Sequence, residues 1–285
     1  MKKRALDNKS QILLNVRMKV LAAWGAFALL IPLLVCSWSR AEDPFENYRI
    51  DVSWEYKGKA RALKTWYLEE LLEWRGAISR ERAPQDTGLS LWRGPRLSKL
   101  VQIALKGMPL QDQGIVDLIV LKGEGDREVS VPRAFVRKYP MILAVEKNGA
   151  SLPQQTQPVY TIVPWNTEPE LMKEIYPAGN YFIEKVKAVV LTNHQDRYSK
   201  FYLERRTDPM AIRGERVYSF NCMGCHNASQ LSNAIHLVSQ IGEGHLIERH
   251  RQKVNYMPQL SDSDQKGLVS YLKAYLSENP SMARK

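Results

Sequence analysis

Toward the C-terminal end of the chain, two thiols and an imidazole stand in one short run, Cys222-Met223-Gly224-Cys225-His226. Two cysteines separated by two residues can add their thiols to the two vinyl groups of a haem, and a histidine directly after the second reaches the iron. The same pair could close a disulfide, act as a thioredoxin-like dithiol, or supply half of a zinc site. Zinc would need two more ligands, and only His236, His245 and His250 stand nearby, with no second cysteine pair. A thioredoxin-like dithiol belongs beside a βαβ pattern, which does not surround this run. Covalent haem attachment is the chemistry these residue types and this spacing favour.

The flanking sequence supplies elements to position the run. Gly214 and Tyr218 precede Cys222 at steps of four, one face of a short helix. Downstream, Ser261 and Asp264 form a Ser-x-x-Asp helix start. Leu268, Val269, Leu272, Tyr275 and Leu276 then follow at helical spacing. Two helices bracketing a haem loop must approach closely, and Gly214 opposite an aromatic such as Tyr271 permits it.

Residues 208–279, roughly a quarter of the chain, resemble a class I cytochrome c domain. The resemblance implies a small all-α domain over 206–285 that holds one haem c, with Cys222 and Cys225 attached to it and His226 as an axial iron ligand. It also implies a methionine ligand in a loop before the last helix. Met257, within Asn255-Tyr256-Met257-Pro258-Gln259-Leu260, holds that place, and Met282 falls beyond the final helix. His245 or His250 is the rival second ligand. A Met/His pair raises the reduction potential and suits a high-potential carrier. The family's mechanism is outer-sphere electron transfer with both axial positions filled. The basic run Arg249–Lys253 would steer an acidic partner or form a solvated helix face.

The preceding region, 42–205, reads as α+β. Runs rich in Val and Ile predict strands at Ile50–Trp54, Val116–Leu121, Glu128–Val131, Met141–Val145, Val159–Val163 and Val186–Leu191. Asn148-Gly149 is a tight-turn signal between two of them. Helical spacing covers Trp66–Trp74, and a second helix is expected from Pro95 to Lys106, with Gly107 just past its end. The polar, charged stretch His194–Arg206 reads as a linker to a wholly helical remainder. His194 there is expected at the surface, Glu69, Glu70 and Glu73 are expected to be solvated, and Asp117 and Asp126 have no evident partner.

Within this region Trp92-Arg93-Gly94-Pro95-Arg96-Leu97-Ser98-Lys99-Leu100 resembles the Trp-x-Gly-x-x-Leu-x-x-Leu stretch of sulfite-oxidase-type molybdopterin oxidoreductases. The similarity continues through Leu143–Gly149, Leu152-Pro153, Val159–Pro164 and Phe182–Leu191, about 100 residues in all. That family ligates molybdenum through a cysteine thiolate, and no cysteine occurs between Cys36 and Cys222. The expectation is therefore a scaffold of that fold without molybdenum cofactor. Trp92 and Gly94 would then form a strand-to-helix corner around a packed indole.

The N-terminus reads as a signal peptide over 1–41. Val20–Trp38 is uncharged and apolar, basic residues precede it, and Ser39-Arg40-Ala41 places small side chains where a signal peptidase cuts. Met18 would serve as an alternative start. Uncleaved, residues 20–38 would tether the chain to the membrane, since nineteen residues at about 1.5 Å each nearly span a hydrocarbon layer of about 30 Å. Cys36 reads as a passive member of this run, because Val35 is bulky for a lipoprotein site. The net charge is +11, 41 basic against 30 acidic residues. Residues 1–41 hold seven of the basic and one of the acidic, leaving 34 − 29 = +5 for the rest, too little for nucleic-acid binding. The sequence thus predicts an exported, periplasmic monohaem cytochrome that exchanges electrons with redox partners such as a dehydrogenase, another cytochrome or an oxidase. It reads as an electron-transfer protein more than an enzyme. The alternatives are the haem subunit of a molybdopterin or sulfite-dehydrogenase-like enzyme, and a haem-based redox sensor.

Overall fold

The structure, a computed structural model, describes residues 45, 47–125, 127–174, 178–223 and 260–280. The signal segment, Asp126, Cys225, His226, His236, His245, His250, Arg249–Lys253, Met257 and Met282 lie outside the described residues.

A five-stranded sheet is the frame. Strands β1 (Arg49–Tyr56) and β2 (Lys59–Tyr67) form a hairpin closed by Lys57-Gly58, both at positive φ. Strands β5 (Leu118–Lys122), β6 (Glu128–Pro132) and β11 (Ala188–Thr192) complete the order β2-β1-β11-β5-β6. Only the β1–β11 pair is parallel, Asp51 facing Ala188 through Glu55 facing Thr192. Successive strand side chains point to opposite faces, so the unbroken apolar runs of β5 and β11 serve two cores. Ile119, Leu121, Val189 and Leu191 enter the larger one, while Leu118, Val120 and Val190 enter the second.

The larger core holds two small sheets. In one, β3 (Ala77–Glu81) and β4 (Ser90–Gly94) pair with each other, and β4 pairs with β8 (Glu146–Lys147), which joins β9 (Ala150–Ser151). In the other, β7 (Ile142–Ala144) pairs with β10 (Tyr160–Ile162). The Asn148-Gly149 turn exists, with φ of 54° and 80°. It joins β8 to β9, however, and not the two strands the sequence had placed around it. Strands of two residues carry no periodicity that a sequence can display.

Helix α1 is Leu68–Glu73 and α2 is Leu97–Lys106. The helical stripe expected from Trp66 is thus corrected at its start. Trp66 and Tyr67 belong to β2, where Trp66 faces Ile50 and is buried. Pairing along β1 overrides the local helical pattern until the sheet edge is passed. Pro95 likewise precedes α2 instead of opening it, because Arg96 is extended and bridges Ile142. Gly107 caps the helix end as expected. Trp92 sits at a strand-to-helix corner, buried, its indole N–H donating to the Glu81 carbonyl at 3.0 Å. A Cβ on Gly94 would lie 2.0 Å from the Leu143 carbonyl oxygen, so β4 and β7 meet only because the residue is glycine.

Two short helices, α3 (Leu110–Ile115) and α4 (Arg133–Lys138), border β5 and β6. After β11 comes α5 (His194–Arg197) and then a 3-10 turn over Ser199–Phe201. Helices α6 (Pro209–Asn221) and α7 (Asp262–Glu278) close the described fold as an all-helical pair.

Candidate functional site

Cys222 is set in place by α6. Asp208 caps the helix, accepting from the Met210 N–H at 2.9 Å, and Pro209 occupies the first turn, where its missing N–H costs nothing. The helix ends at Cys222, whose N–H donates to the Tyr218 carbonyl at 2.8 Å, and Met223 N–H donates to the same oxygen at 3.2 Å. The first thiol therefore sits where the helix stops, half-buried, beside a buried Met223.

Helix α7 begins as the Ser-x-x-Asp pattern predicts. Ser261 Oγ accepts from the Asp264 N–H at 3.2 Å and donates to the Asp264 carboxylate at 2.6 Å, and Arg213 of α6 reaches the same carboxylate at 2.8 Å. Ser261→Ala is expected to lower stability by about 1 kcal/mol. Chemical denaturation with an unchanged m-value checks it.

The helices cross at glycine. A Cβ on Gly214 would fall 1.8 Å from the Gly267 carbonyl oxygen and 2.7 Å from Tyr271 Cβ. The approach of Gly214 to Tyr271 read from the sequence is thus present, with Gly267 as its unread partner. Around this crossing Tyr218 meets Tyr271 at a ring separation of 5.2 Å, and Phe201 meets Tyr218 at 5.9 Å.

The stretch His194–Arg206 is the main correction to the sequence reading. Instead of a solvated linker it forms a strap between the sheet and the helix pair, with Tyr198, Phe201 and Leu203 buried in the second core. The Tyr271 hydroxyl donates to the Phe201 carbonyl at 2.7 Å and the Tyr275 hydroxyl to the Lys200 carbonyl at 2.8 Å. The buried Glu215 carboxylate accepts from the Leu203 N–H at 2.7 Å and pairs with Arg206 at 2.8 Å. The spaced apolar residues Tyr198, Phe201 and Leu203 were the available signal, masked by the charges between them.

His194 is buried, not at the surface, with 8% of its area exposed. Asp117 does have partners, the His194 N–H at 2.7 Å and the Asn193 amide at 3.3 Å. Burial holds the His194 imidazole below its usual pKa, with the Ser219 carbonyl and the Asp117 charge pulling the other way. The unfolded chain then binds a proton before the folded one does. The stability this histidine contributes is full above about pH 6.5, the ordinary imidazole value, and declines as the pH falls below it. Denaturation midpoints collected from neutral to acidic pH should show that decline, and His194→Gln should remove its part of it.

At the end of α6 two polar atoms are buried without a hydrogen bond, the Tyr218 hydroxyl and Asn221 Oδ1. Burial first, then the charge of Cys222, pushes the Tyr218 hydroxyl far above its ordinary pKa, so it is a neutral donor. A buried polar atom lacking a partner is uncommon in a folded chain. The condition is not confined to this helix end, since Trp54 Nε1, Trp66 Nε1 and Thr161 Oγ1 elsewhere in the fold share it.

A second buried carboxylate escaped the sequence reading. Glu81 is fully buried and accepts from Ser79 Oγ, the Asn166 and Thr167 N–H groups, and Thr167 Oγ1, at 2.5–3.2 Å. This anchors the loop before Pro169 to β3. Glu69, Glu70 and Glu73 are exposed or half-exposed, as expected. Among the described residues no group of three His, Cys, Asp or Glu side chains could hold a metal ion.

No family model and no curated protein matches the chain. Among solved structures, a chain of the sulfane dehydrogenase SoxCD from Paracoccus pantotrophus aligns at 18% identity with a TM-score of 0.35. The alignment covers 52% of this chain and 39% of that one. At that score the likeness carries no statement about fold or activity.

Proposed function

We propose that the chain is an exported, periplasmic c-type cytochrome that passes single electrons between redox proteins, a dehydrogenase, another cytochrome or an oxidase. One haem would be held by thioether bonds from Cys222 and Cys225, with His226 and Met257 as axial ligands. Bound there, the haem supplies reversible one-electron chemistry at iron whose potential the axial pair sets.

The observation that carries this reading is the arrest of α6 at Cys222, about two turns past a Gly214–Gly267 helix crossing. Cys222 is thereby presented at a fixed point, followed directly by the rest of the attachment run. Helices α6 and α7 would belong to the small all-α domain over 206–285. The α+β region would act as a docking scaffold, without molybdenum cofactor, since it has no cysteine to ligate the metal.

The test is export of the full chain from a host that attaches c-type haem, followed by denaturation. Haem that stays with the unfolded polypeptide supports the reading, and haem that is absent or extracts freely contradicts it. In the loaded chain Met257→Ala separates the axial assignments. A lost low-spin spectrum supports Met257, and an unchanged one moves the ligand to His245 or His250.

A further inference from the structure

His194 lies where three elements meet. Its N–H reaches Asp117 ahead of β5, its Nδ1 is 2.6 Å from the Tyr202 hydroxyl in the strap, and its Nε2 is 3.3 Å from the Ser219 carbonyl on α6. A carbonyl only accepts, so Nε2 carries the ring hydrogen, and Nδ1 is the bare nitrogen that accepts from Tyr202. A second proton has one place to go, Nδ1, and the Tyr202 hydroxyl need only turn to accept from it.

This imidazole has a route to solvent. Tyr202 and Ser219 both line an open groove of about 1020 Å³, together with Arg206, Met210, Arg216 and Phe220. The buried ring is therefore one hydroxyl away from water. It also leans on the last turn before the attachment run, since Ser219 precedes Cys222 by three residues, about 4.5 Å along a helix axis.

Resting on the haem reading above, we infer that His194 is a redox-linked proton site. Its Nδ1 takes a proton from the groove when the iron gains an electron and returns that proton when the electron leaves. The electron comes from, and goes to, the redox partners of the proposed function, and the proton is exchanged with water. Proton binding and reduction then favour each other by the same factor. The physical cause is charge. An oxidised iron carries one more positive charge than a reduced one, and for a haem attached at Cys222 that charge would disfavour an imidazolium held against Ser219 of the same helix end through a poorly screened interior.

The groups around His194 leave it able to titrate. From the sheet side Asp117 favours the cation, and from α6 the Ser219 carbonyl does the same at a helix C-terminus. On its own short helix stand Asp196 and Arg197, and Tyr198 caps its end with the ring 5.0 Å away. From the strap, Arg206 lies 6.0 Å over the Tyr202 ring and is paired with Glu215. From α6, Arg216 lies 6.0 Å over Phe220, whose ring is 5.4 Å from the imidazole. Asp117 stands alone on the sheet side, while acids and bases are mixed on α5 and across the strap and α6, so burial and these charges oppose one another at the ring.

The experiment is a potentiometric titration of the haem-loaded full chain from neutral to acidic pH, beside His194→Gln, with haem content and spectrum recorded for each. The expected midpoint rises as the pH falls through a window below about 6.5. Its span should correspond to a roughly tenfold change in proton affinity between redox states, about 59 mV. His194→Gln keeps an amide donor for Ser219 and should flatten that window. A loaded variant that retains the full span overturns the inference and leaves the haem reading intact. A wild-type chain without haem defeats both. Should the variant fail to fold, NMR titration of the wild-type His194 ring in each redox state decides: a proton affinity that does not move overturns the inference.

Discussion

Replacing both Cys222 and Cys225 by serine is expected to remove covalent haem completely, while either single replacement leaves at most one thioether. The double replacement leaves no thiol at the attachment run, and the one further cysteine of the sequence, Cys36, lies far upstream in the N-terminal apolar run. The fold should tolerate the change at Cys222. The Cys222 side chain packs at the edge of the second core, where serine is of similar size, and its N–H, which closes the last turn of α6 on the Tyr218 carbonyl, is a donor that serine keeps. Circular dichroism of the doubly substituted chain should therefore retain the helical and sheet signal of the haem-free parent. Haem staining after denaturing electrophoresis should be blank. Staining equal to the parent would mean that haem is held elsewhere or not covalently.

Gly214→Val should produce the largest loss of stability of any single substitution in the helix pair. The added Cβ would meet the Gly267 carbonyl at 1.8 Å. Backbone cannot swing aside as a side-chain tip can, so α6 and α7 must separate and open the Tyr218–Tyr271 contact. Overpacking of this kind costs about 3 kcal/mol or more, which for a chain of this size lowers Tm by roughly 6–12 °C. Gly114→Ala is the matching control. Gly114 lies in α3, where a Cβ would meet nothing within 4 Å. Alanine there should stabilise by about 0.5–1 kcal/mol through helix propensity alone. Thermal melts of the two variants, with the parent, read both predictions. Equal melting of Gly214→Val and the parent would mean that the helices do not cross at this glycine.

What could be read in advance follows from how much of each element faces the core. Strands β5 and β11 are buried on both faces, so their composition is almost wholly apolar and their positions stand out in the sequence. Strand β2 is exposed along most of its length, so its sequence lacks the apolar alternation that marks a strand, and pairing with β1 defines it. Strand β3 and the two-residue strands were invisible for related reasons. At the candidate site the approach of Gly214 to Tyr271 was legible because two helices that bracket a Cys-x-x-Cys-His loop must come close, and a glycine opposite an aromatic ring permits it. Its partner Gly267 carried no such context. His194 was misjudged because its neighbours in sequence are charged, although its neighbours in space are Tyr198, Tyr202 and Phe220. The roles of Cys225, His226 and Met257 rest on the sequence pattern, and Cys222 is the one member of that set whose setting the described fold supplies.

The account stands most directly on metal content. Elemental analysis of the chain, exported from a host that attaches c-type haem, should give one iron and no molybdenum per polypeptide. A chain that is folded and exported yet carries no iron would contradict the central claim, and stoichiometric molybdenum would contradict the scaffold role assigned to the α+β region.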